Sequence, residues 1–437
     1  MRHLAVVAGG KGVRMGEAFP GLPKALIPVG GKPVLQHQLE LARDAGVEGV
    51  TIFAGHLADK IAGFVGDGAR FGLDVCVRVE TEPLGNAGAL TAALDELPAH
   101  FFVLYGDVMA AVDLARMGEA HLARDVDFTT LVHPNDHPFD SDLVEADADG
   151  RVTAIHACPH PEGAYFANLV NAALYVVRRE ALRPFTGRGK LDFTKDVLAG
   201  LIERSANVVA YRSAEYIKDM GAPARLSRVE ADWRAGKIRL GQDAPRPAVF
   251  LDRDGTLNQE RGFLARAAGL ELIPGAGAAL RRLREAGFLL IVVTNQPVIA
   301  RGEASEAELA DIHRKLEWEL GKAGAYIDAL YYCPHHPDAG FPGERPELKI
   351  ACDCRKPATG LIETACRDFA IDRPASWMVG DSTRDIEMAR RAGLASVLVL
   401  TGNGGQDRRY EVRPDHVAAD IGAAAELIRD KMLASAA

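Results

Sequence analysis

The sequence predicts an α/β protein made of two doubly wound domains, each built in three layers. Short apolar runs that end in polar residues indicate buried parallel strands. Such runs occur at 4–8, 101–105, 248–251, 289–293 and 377–379. Between them, apolar residues return every three or four positions, as at 278–286 and 306–320, which indicates helices. The alternation in both halves predicts parallel sheets with helices on both faces.

Length and composition support two complete domains. The chain has 437 residues, of which 48% are hydrophobic and 25% are charged, so it can bury two ordinary cores. The stretch 236–247 is polar and contains glycine and two prolines, which is typical of a linker. We therefore expect a first domain at 1–235, a linker at 236–247 and a second domain at 248–437.

The charge pattern excludes several classes of partner. The formal net charge is −9 and no run of lysine or arginine occurs, which argues against nucleic acid or an anionic membrane as a partner. No stretch of eighteen apolar residues is present, so we expect no transmembrane helix. No signal-peptide pattern opens the chain, and we expect a reducing, cytoplasmic location. The sequence does not indicate an oligomeric state.

Three polar segments of the second half, two of them acidic, carry most of its chemistry. Each follows a predicted strand, so one cleft at the carboxyl ends of the strands should collect them. Together with one lysine they supply a nucleophile, an acid/base, a cation site and a charge clamp. The residues concerned are Asp252, Asp254, Thr294, Lys356, Asp381 and Asp385. Asp-Gly and Gly-Asp pairs also form ordinary turns, but four matches in order favour a phosphoryl-transfer site.

This set resembles the haloacid-dehalogenase-like phosphatase superfamily, whose four short motifs match in type and order. The resemblance implies that Asp252 attacks phosphorus, while Asp254 protonates the leaving alkoxide and then activates water. It implies that Thr294 and Lys356 hold the transferred phosphoryl group. It also implies Mg²⁺ ligands. These are Asp252, the backbone carbonyl of Asp254 and Asp381, with Asp385 in support.

A second constellation indicates a metal-binding loop. Cys333, His335, Cys352 and Cys354 form two tight pairs on either side of a loop rich in proline and glycine. Tetrahedral Zn²⁺ could close such a loop, and disulfides are the rival reading, which a reducing compartment disfavours. The neighbouring His336 is the alternative imidazole. The loop is similar to those of the heptose-bisphosphate and histidinol-phosphate phosphatases, in which zinc is structural and shapes the rim that Arg355 uses to meet substrate.

The stretch after Thr294 departs from that subfamily. Its usual Thr-Asn-Gln-Ser-Gly reads Thr-Asn-Gln-Pro-Val at 294–298, which changes the freedom of the loop backbone. Asn295 and Arg301 could bind a distal phosphate or sugar hydroxyls. They could equally be a loop-capping asparagine and a solvated arginine.

The first half carries a glycine-rich turn directly after its first predicted strand. Gly9, Gly10, Gly12 and Arg14 belong to this turn, where backbone N–H groups can approach a phosphate closely. Further polar segments follow around Lys24, at 82–90, at 106–107 and at 216–223. Glycine-rich turns alone are weak evidence, and the later segments strengthen it.

These segments together resemble the sugar-1-phosphate nucleotidylyltransferase family over roughly residues 1–235, which implies a Rossmann-like domain. The resemblance implies a nucleoside triphosphate as co-substrate, with Mg²⁺ held by Asp107 and Asp219. Arg14 and Lys24 would spread the charge that develops at the α-phosphorus. Gly85 and Asn86 would lie near the base, and Asn171 would touch the sugar.

The first half also departs from its family. Members usually carry Glu-Lys-Pro, whose lysine meets the sugar phosphate, whereas this chain has Cys-Pro-His-Pro-Glu at 158–162. The usual threonine of the glycine-rich loop is replaced by Val13. A missing cation weakens binding of a dianionic substrate. His160 and Lys195 are candidates to compensate.

Fusion of the two domains points to consecutive reactions on small-molecule sugar phosphates. Removal of the 7-phosphate from D-glycero-D-manno-heptose 1,7-bisphosphate yields a sugar 1-phosphate, which a nucleotidylyltransferase would join to a nucleotide, GMP from GTP. Other hexose 1-phosphates, and ATP, CTP or UTP, are the alternative substrates. The activated heptose would serve surface polysaccharide synthesis. The alternative is a phosphatase for heptose bisphosphate or histidinol phosphate, joined to a silent domain that binds a nucleotide sugar.

Overall fold

A computed structural model of the protein describes residues 1–10, 15, 18–147, 149–238, 245–340 and 342–436. The chain divides into two compact units. Unit 1 comprises Met1–His133, Val144–Ala157 and Asn171–Asp243, and unit 2 comprises Pro134–Leu143, Cys158–Val170 and Ala244–Ala437. The linker expected at 236–247 stays a prediction, and its residues 239–244 lie outside the described part of the chain.

The strands are short, as the apolar runs predict. In chain order they are β1 (His3–Ala8), β2 (Pro28–Val29), β3 (Lys32–Pro33), β4 (Gly49–Ala54), β5 (Asp74–Val79), β6 (His100–Tyr105), β7 (Val108–Ala111), β8 (Phe128–His133), β9 (Leu143–Ala146), β10 (Val152–His156), β11 (Val170–Arg178), β12 (Val208–Arg212), β13 (Tyr216–Asp219), β14 (Ala248–Leu251), β15 (Leu289–Asn295), β16 (Ala329–Cys333), β17 (Trp377–Gly380), β18 (Ala395–Val399) and β19 (His416–Ala418).

Helices fill most of the connections between strands. The α-helices are α1 (Val34–Asp44), α2 (Ala58–Val65), α3 (Gly85–Ala92), α4 (Leu114–Ala123), α5 (Ala199–Glu203), α6 (Pro223–Arg234), α7 (Ala276–Glu285), α8 (Glu306–Lys322), α9 (Gly360–Asp368), α10 (Thr383–Ala392) and α11 (Ile421–Ala436). A π-helical turn, Phe193–Leu198, leads into α5. The described helices include none that is long and apolar enough to cross a membrane.

The sheet of the first half is mixed. Its main path runs β10-β9-β11-β6-β1-β4-β5, and β8 joins β11 to β12. β1 is parallel to β4 and β6, but β11 is antiparallel to β6. β11 is also antiparallel to β9. The α/β class is confirmed, but the expectation of a wholly parallel sheet in the first half is wrong. A separate antiparallel pair, β7 with β13, aligns Asp219 with Val108.

The sheet of the second half is parallel throughout, in the order β16-β15-β14-β17-β18-β19. Counted within this half, the order is 3-2-1-4-5-6, that of a Rossmann-type doubly wound sheet. The chain direction of the crossovers reverses between β14 and β17, which are neighbours. In such sheets a crevice opens outside the carboxyl ends of the strands at this point.

Buried residues explain why these segments adopt their elements. All four residues of β14 are buried, and so are the first six of β15, as expected for central parallel strands. α8 begins with a capping box, in which Ser305 and Glu308 satisfy each other's backbone N–H groups. Its buried apolar positions recur every three or four residues, so one face of the helix packs against the core.

Unit 2 includes two segments that precede its sheet by more than 70 residues, 134–143 and 158–170. The backbone N–H of Asn168 donates to Glu317 Oε2 at 2.8 Å, and both residues are buried. The ring of His160 lies against Trp318, with 5.9 Å between the ring centroids. In the other segment, Pro138 lies against Gly321 of α8. Both segments therefore pack on α8 within the same compact unit.

Candidate active sites and candidate metal centre

The crevice of unit 2 collects the residues that the sequence analysis singled out. Asp252 directly follows β14, Thr294 lies near the end of β15 and Asp381 directly follows β17. The backbone N–H of Asp252 donates to Val379 O at 2.9 Å, which fixes the two central strand ends together. All three side chains line one cleft, together with Asp254 and Lys356.

Lys356 is the central cation of this cleft. Its Nζ atom lies 2.7 Å from Asp252 Oδ1 and 2.7 Å from Asp385 Oδ1, and all three side chains are buried. Asp385 is held in place from behind, because Ser382 donates from both its backbone N and its Oγ to Asp385 Oδ2. Burial acts to lower the pKa of Lys356, but the two carboxylates raise it above its usual value. Lys356 is therefore a fixed positive charge.

One lysine does not balance the carboxylates around it. Asp252, Asp381 and Asp385 each offer an oxygen atom within 4.8 Å of the others. Burial and the neighbouring carboxylates raise the pKa of Asp252 to about 6 and that of Asp381 to about 8. Buried carboxylates of this kind need a cation to stay charged. The three oxygens fit a hard divalent ion such as Mg²⁺.

The backbone leaves room for this close approach of carboxylates. Gly255 has φ +77°, and a Cβ atom at this position would overlap Asp381 Oδ2. The glycine of the Asp-Arg-Asp-Gly-Thr segment is thus required both by its conformation and by the position of Asp381.

Asp254 is held by a network that the sequence analysis did not anticipate. Arg253 is fully buried, and its Nη2 donates to both oxygens of Asp254, at 3.0 and 2.8 Å. Gln296 Nε2 donates to Asp254 Oδ2 at 2.8 Å and to Thr294 Oγ1 at 2.9 Å. Burial acts to raise the pKa of Asp254, but Arg253 and the amides lower it. Asp254 therefore rests as a carboxylate.

Three further candidates have different surroundings. Asn295 Oδ1 accepts from the backbone N–H of Lys356 at 2.9 Å, so Asn295 positions the lysine, and it also lines the cleft. Arg301 is not among the described residues that line the cleft. Its guanidinium lies 3.9 Å from the ring centroid of Phe263, which does line it. Arg355 lines the cleft and donates from Nη1 to His335 O at 2.9 Å.

The cysteine pairs form one compact cluster. The sulfur atoms of Cys333, Cys352 and Cys354 are 3.2 to 3.6 Å apart, and His335 Nδ1 lies 3.2 Å from Cys354 Sγ. A disulfide needs about 2.05 Å, and all six cysteines are free. A tetrahedral ion with sulfur bonds of about 2.3 Å has sulfur–sulfur edges of about 3.8 Å. The cluster fits a metal ion. His335, not His336, completes it.

In unit 1, the β7–β13 pair brings the segment of Asp107 next to the segment of Asp219. The backbone N–H of Met220 donates to Asp107 O at 2.8 Å, next to Asp219. Lys24 Nζ lies 2.8 Å from Asp107 Oδ2, whereas Asp219 pairs with Arg225 Nη1 at 2.6 Å. Each carboxylate already has a cation beside it, so this pair is less charged than the triad of unit 2.

The glycine-rich turn meets a carboxylate that the sequence analysis missed. Glu80 follows β5 and is anchored by its backbone N–H, which donates to Ala54 O at 2.8 Å. Its Oε1 atom is buried without a hydrogen-bond partner among the described residues. A Cβ atom on Gly9 would overlap this oxygen, and Gly10 beside it is exposed. Gly12 and Arg14 lie outside the described residues.

The other candidates of the first half are engaged by the protein itself. Gly85 and Asn86 are the first residues of α3, and Asn86 bonds Asp192 Oδ2 at 2.8 Å and the backbone N–H of Phe193 at 2.6 Å. The amide of Asn171 bonds Thr130, Tyr175 and Thr194. The side-chain amides of Asn86 and Asn171 therefore bind residues 192–194 of the protein itself.

Comparison with known proteins identifies both halves. The nucleotidyl transferase family model matches residues 5–235, and the HAD-hydrolase-like model matches residues 353–424. The D-glycero-beta-D-manno-heptose-1,7-bisphosphate 7-phosphatase of Salmonella typhi is 44% identical over 158 residues, which are 36% of this chain and 81% of the relative. The chain belongs to the nucleotidyl transferase family and to these 7-phosphatases. Both resemblances drawn from the motifs are confirmed.

Solved structures also resemble each half of the chain. HddC from Yersinia pseudotuberculosis is 22% identical, with 53% of this chain and 100% of that chain covered and a TM-score of 0.46. The D,D-heptose 1.7-bisphosphate phosphatase of B. bronchiseptica, complexed with magnesium and phosphate, is 34% identical, with 42% and 99% covered and a TM-score of 0.38.

The departure from the transferase pattern at 158–162 has a structural counterpart. His160 Nε2 lies 2.9 Å from Ser141 O, and its ring packs on Phe166 and Trp318 within unit 2. Lys195 lies in the π-helical turn of unit 1, where its backbone N–H bonds Asp192 Oδ1. The side chain of His160 therefore packs within unit 2. Lys195 remains a candidate cation for the sugar phosphate.

Loss of two thiols should empty the metal centre. We expect the double substitution Cys352→Ser and Cys354→Ser to lower bound zinc from roughly one ion per chain to roughly none, since thiolates are the strong zinc ligands of the cluster. Elemental analysis of purified protein measures this directly. The double substitution Cys76→Ser and Cys158→Ser, at two exposed thiols, is the matched control. Unchanged zinc after loss of Cys352 and Cys354 would contradict the assignment.

Proposed function

We propose that the protein is a bifunctional enzyme that removes the 7-phosphate of D-glycero-D-manno-heptose 1,7-bisphosphate and then transfers GMP from GTP to the heptose 1-phosphate. The observation that carries the proposal is the presence in one chain of a 7-phosphatase and a nucleotidyl transferase. The product of the first reaction has the functional group that the second consumes. The product would be an activated heptose for surface polysaccharide. The domains proposed for the two activities are 248–437 and 1–235.

The phosphatase reaction starts at Asp252. Its carboxylate attacks phosphorus, the bond to the sugar oxygen breaks, and an aspartyl phosphate forms. Lys356, 2.7 Å from Asp252, offsets the negative charge that otherwise repels a phosphate monoester from a carboxylate. The hydroxyl of Thr294, oriented by Gln296, is the second contact proposed for the transferred group.

Asp254 is the proposed acid/base. Its resting carboxylate is the form that takes a proton from water when water attacks the aspartyl phosphate in the second half of the reaction. In the first half it must first hold a proton to give to the leaving alkoxide. Arg253, Asn258 and Gln296 fix the position of the carboxylate for both steps.

Mg²⁺ is the cation proposed for Asp252, Asp381 and the backbone carbonyl of Asp254, with Asp385 in support. When bound, it would neutralise charge on the phosphoryl group. Zn²⁺ at Cys333, His335, Cys352 and Cys354 is proposed as structural. The bond from Arg355 to His335 O supports this role, because the loop then fixes Arg355 at the rim of the cleft. Three free thiols in one cluster also support a reducing, cytoplasmic location.

In the transferase reaction, the oxygen of the sugar phosphate attacks the α-phosphorus of the nucleotide in line, and pyrophosphate leaves. Lys24 and Arg14 are the proposed charge-spreading cations, and Asp107 and Asp219 are the proposed carboxylates for Mg²⁺. Gly9, Gly10 and Gly12 would meet phosphate oxygens through backbone N–H groups.

The choice of GTP is supported by Glu80. Its buried Oε1 lacks a hydrogen-bond partner among the described residues, and burial raises the pKa of this carboxyl. A pair of N–H donors would stabilise its charged form. Guanine carries two adjacent donors, N1–H and the N2 amino group, whereas adenine, cytosine and uracil present only one donor beside an acceptor. Gly85, Asn86 and Asn171 keep their proposed places near the base and the sugar.

Replacing Glu80 by Gln should weaken this preference. A neutral amide accepts one bond and donates another, so it matches guanine less well than a carboxylate does. We expect kcat/KM for GTP to fall about 10- to 100-fold relative to kcat/KM for UTP, corresponding to roughly 1 to 3 kcal/mol for a bidentate base contact. Pyrophosphate release with each of the four triphosphates is the measurement. If the relative kcat/KM values of the four triphosphates stayed unchanged, Glu80 would not be the residue that recognises the base.

A phosphorus NMR time course with heptose 1,7-bisphosphate, Mg²⁺ and GTP in one tube tests the whole proposal. We expect loss of the 7-phosphate signal, then growth of a new diphosphate pair. Phosphate release without that pair would favour the alternative, a phosphatase joined to a silent nucleotide-sugar binder. The absent Glu-Lys-Pro lysine is the observation behind that alternative. No release of phosphate would contradict both.

A further inference from the structure

A short segment after β18, residues 401–405, holds Asp381 of the phosphatase cleft in place. Asn403 donates twice to Asp381 Oδ2, from its backbone N at 2.6 Å and from its side-chain Nδ2 at 3.0 Å. The backbone N–H of Gly405 donates to Asp381 O at 2.8 Å. Asp381 is buried, and Asn403 lines the same cleft. The segment therefore fixes both the backbone and the side chain of Asp381.

Protein atoms enclose the Oδ2 atom of Asp381. A Cβ atom on Gly402, whose φ is +57°, would overlap this oxygen, as a Cβ atom on Gly255 would. The two backbones are tied together, because Thr401 Oγ1 donates to Gly255 O at 2.6 Å. No hydrogen bond to Asp381 Oδ1 occurs in the described part of the chain, whereas Oδ2 accepts two. The oxygen that Asp381 can offer to a metal ion is therefore Oδ1.

The other two carboxylates of the triad are restrained in the same way. Asp385 Oδ2 accepts from the backbone N and the Oγ of Ser382, at 3.1 and 2.7 Å. Asp252 Oδ1 accepts from the backbone N–H of Arg253 at 2.7 Å and lies 2.7 Å from Lys356 Nζ. A carboxylate with one oxygen bound by the protein offers at most its other oxygen to an ion. The three carboxylates are thus arranged to bind an ion through single oxygens.

We infer that Asn403 is a positioning residue that makes this centre selective for Mg²⁺ over Ca²⁺. The inference rests on the proposed function, which assigns Mg²⁺ to Asp381. Mg²⁺ needs a near-octahedral shell of oxygens at about 2.1 Å, whereas Ca²⁺ takes roughly six to eight oxygens and often binds both oxygens of one carboxylate. Because Asn403 holds Oδ2, Asp381 presents a single oxygen in a fixed position. That geometry suits the smaller ion and denies the larger one a ligand.

Ion selectivity is the readout that separates this role from a structural one. Asn403→Ala removes the side-chain donor and should raise Kd for Mg²⁺ about tenfold, the scale on which a hydrogen-bonded partner of a metal ligand acts. Kd for Ca²⁺ should rise less, because the freed Oδ2 can join its larger shell. We therefore expect the ratio of Kd for Ca²⁺ to Kd for Mg²⁺ to fall about five- to tenfold. Calorimetric titration of the full chain with each ion measures both constants, and the binding that Asp381→Asn abolishes identifies the cleft.

Two further variants complete the test. Gln406→Ala is the matched control, because Gln406 is an exposed amide close to Asn403 in the chain, and both constants should stay unchanged. Asn403→Asp keeps the size of the side chain and replaces the donor by a carboxylate, so it should also lower the ratio. An unchanged ratio in either folded variant at Asn403 would overturn the inference, even if both affinities fell together. If Asp381→Asn abolished no Mg²⁺ binding, the Mg²⁺ assignment of the proposed function would be wrong instead.

Discussion

Asp252→Asn should reduce phosphate release by at least about 10⁴-fold, the loss that removal of a covalent nucleophile causes in other enzymes. An amide lacks the negative charge and the lone-pair reactivity with which a carboxylate attacks phosphorus. The side chain keeps its size, and Lys356 keeps its second partner, since Asp385 Oδ1 lies 2.7 Å from its Nζ. The change should therefore remove chemistry without opening the core.

Phosphate release from heptose 1,7-bisphosphate measures the effect, and rapid acid quench shows whether an aspartyl phosphate still forms. The same preparation should transfer GMP to heptose 1-phosphate at the unsubstituted rate, because Asp252 lies in unit 2 and the transferase candidates lie in unit 1. Residual phosphate release within tenfold of the unsubstituted protein would refute Asp252 as the nucleophile. Loss of both activities would indicate a folding defect instead.

The phosphatase cleft was predictable because the sheet order leaves little freedom. Asp252, Thr294 and Asp381 each follow or end an apolar run, and parallel strands bring their carboxyl ends to one edge. The order that places β14 beside β17 then brings Asp252 next to Asp381. The four-ligand cluster was predictable for a similar reason, since two tight pairs at the ends of one loop meet when the loop closes.

Side chains that act through their neighbours were not predictable from spacing. Arg253 lies between two catalytic candidates, but only burial of its guanidinium reveals that it holds Asp254. Asn295, Asn86 and Asn171 were candidates for ligand contacts, and each satisfies its amide largely within the protein. An asparagine that braces a loop and one that binds a sugar have the same sequence signal.

The sequence also did not predict which segments belong to unit 2. The segments 134–143 and 158–170 lie within the stretch that matches a transferase, yet they pack on α8. A charged residue in a helix such as Glu317 normally faces solvent, and here it is buried because a backbone N–H from Asn168 satisfies it. Such a partner is more than 140 residues away, so no local pattern indicates it. The substitution of Glu-Lys-Pro by Cys-Pro-His-Pro-Glu at 158–162 was the one visible sign.

The second large effect is expected at the other site. Asp107→Asn should lower GMP transfer by about 10³-fold, the scale on which removal of one charged group aimed at a transferring phosphoryl centre acts. Asp107 is the second residue after β6, at the edge where the glycine-rich turn begins, and it holds Lys24 at 2.8 Å. The substitution removes one of the two carboxylates proposed for Mg²⁺ and also releases the lysine proposed to meet the α-phosphate.

Pyrophosphate release with GTP and heptose 1-phosphate is the measurement, and Asp252→Asn is the matched control. The two variants should show opposite losses, with Asp107→Asn retaining phosphate release and Asp252→Asn retaining transfer. A further variant, Arg225→Gln, tests whether Asp219 binds Mg²⁺ or only pairs with Arg225. It frees Asp219 from its ion pair, so a gain in Mg²⁺ affinity supports a cation at this pair of aspartates. Full transfer activity in Asp107→Asn would contradict both roles proposed for Asp107, as a Mg²⁺ ligand and as the partner that positions Lys24.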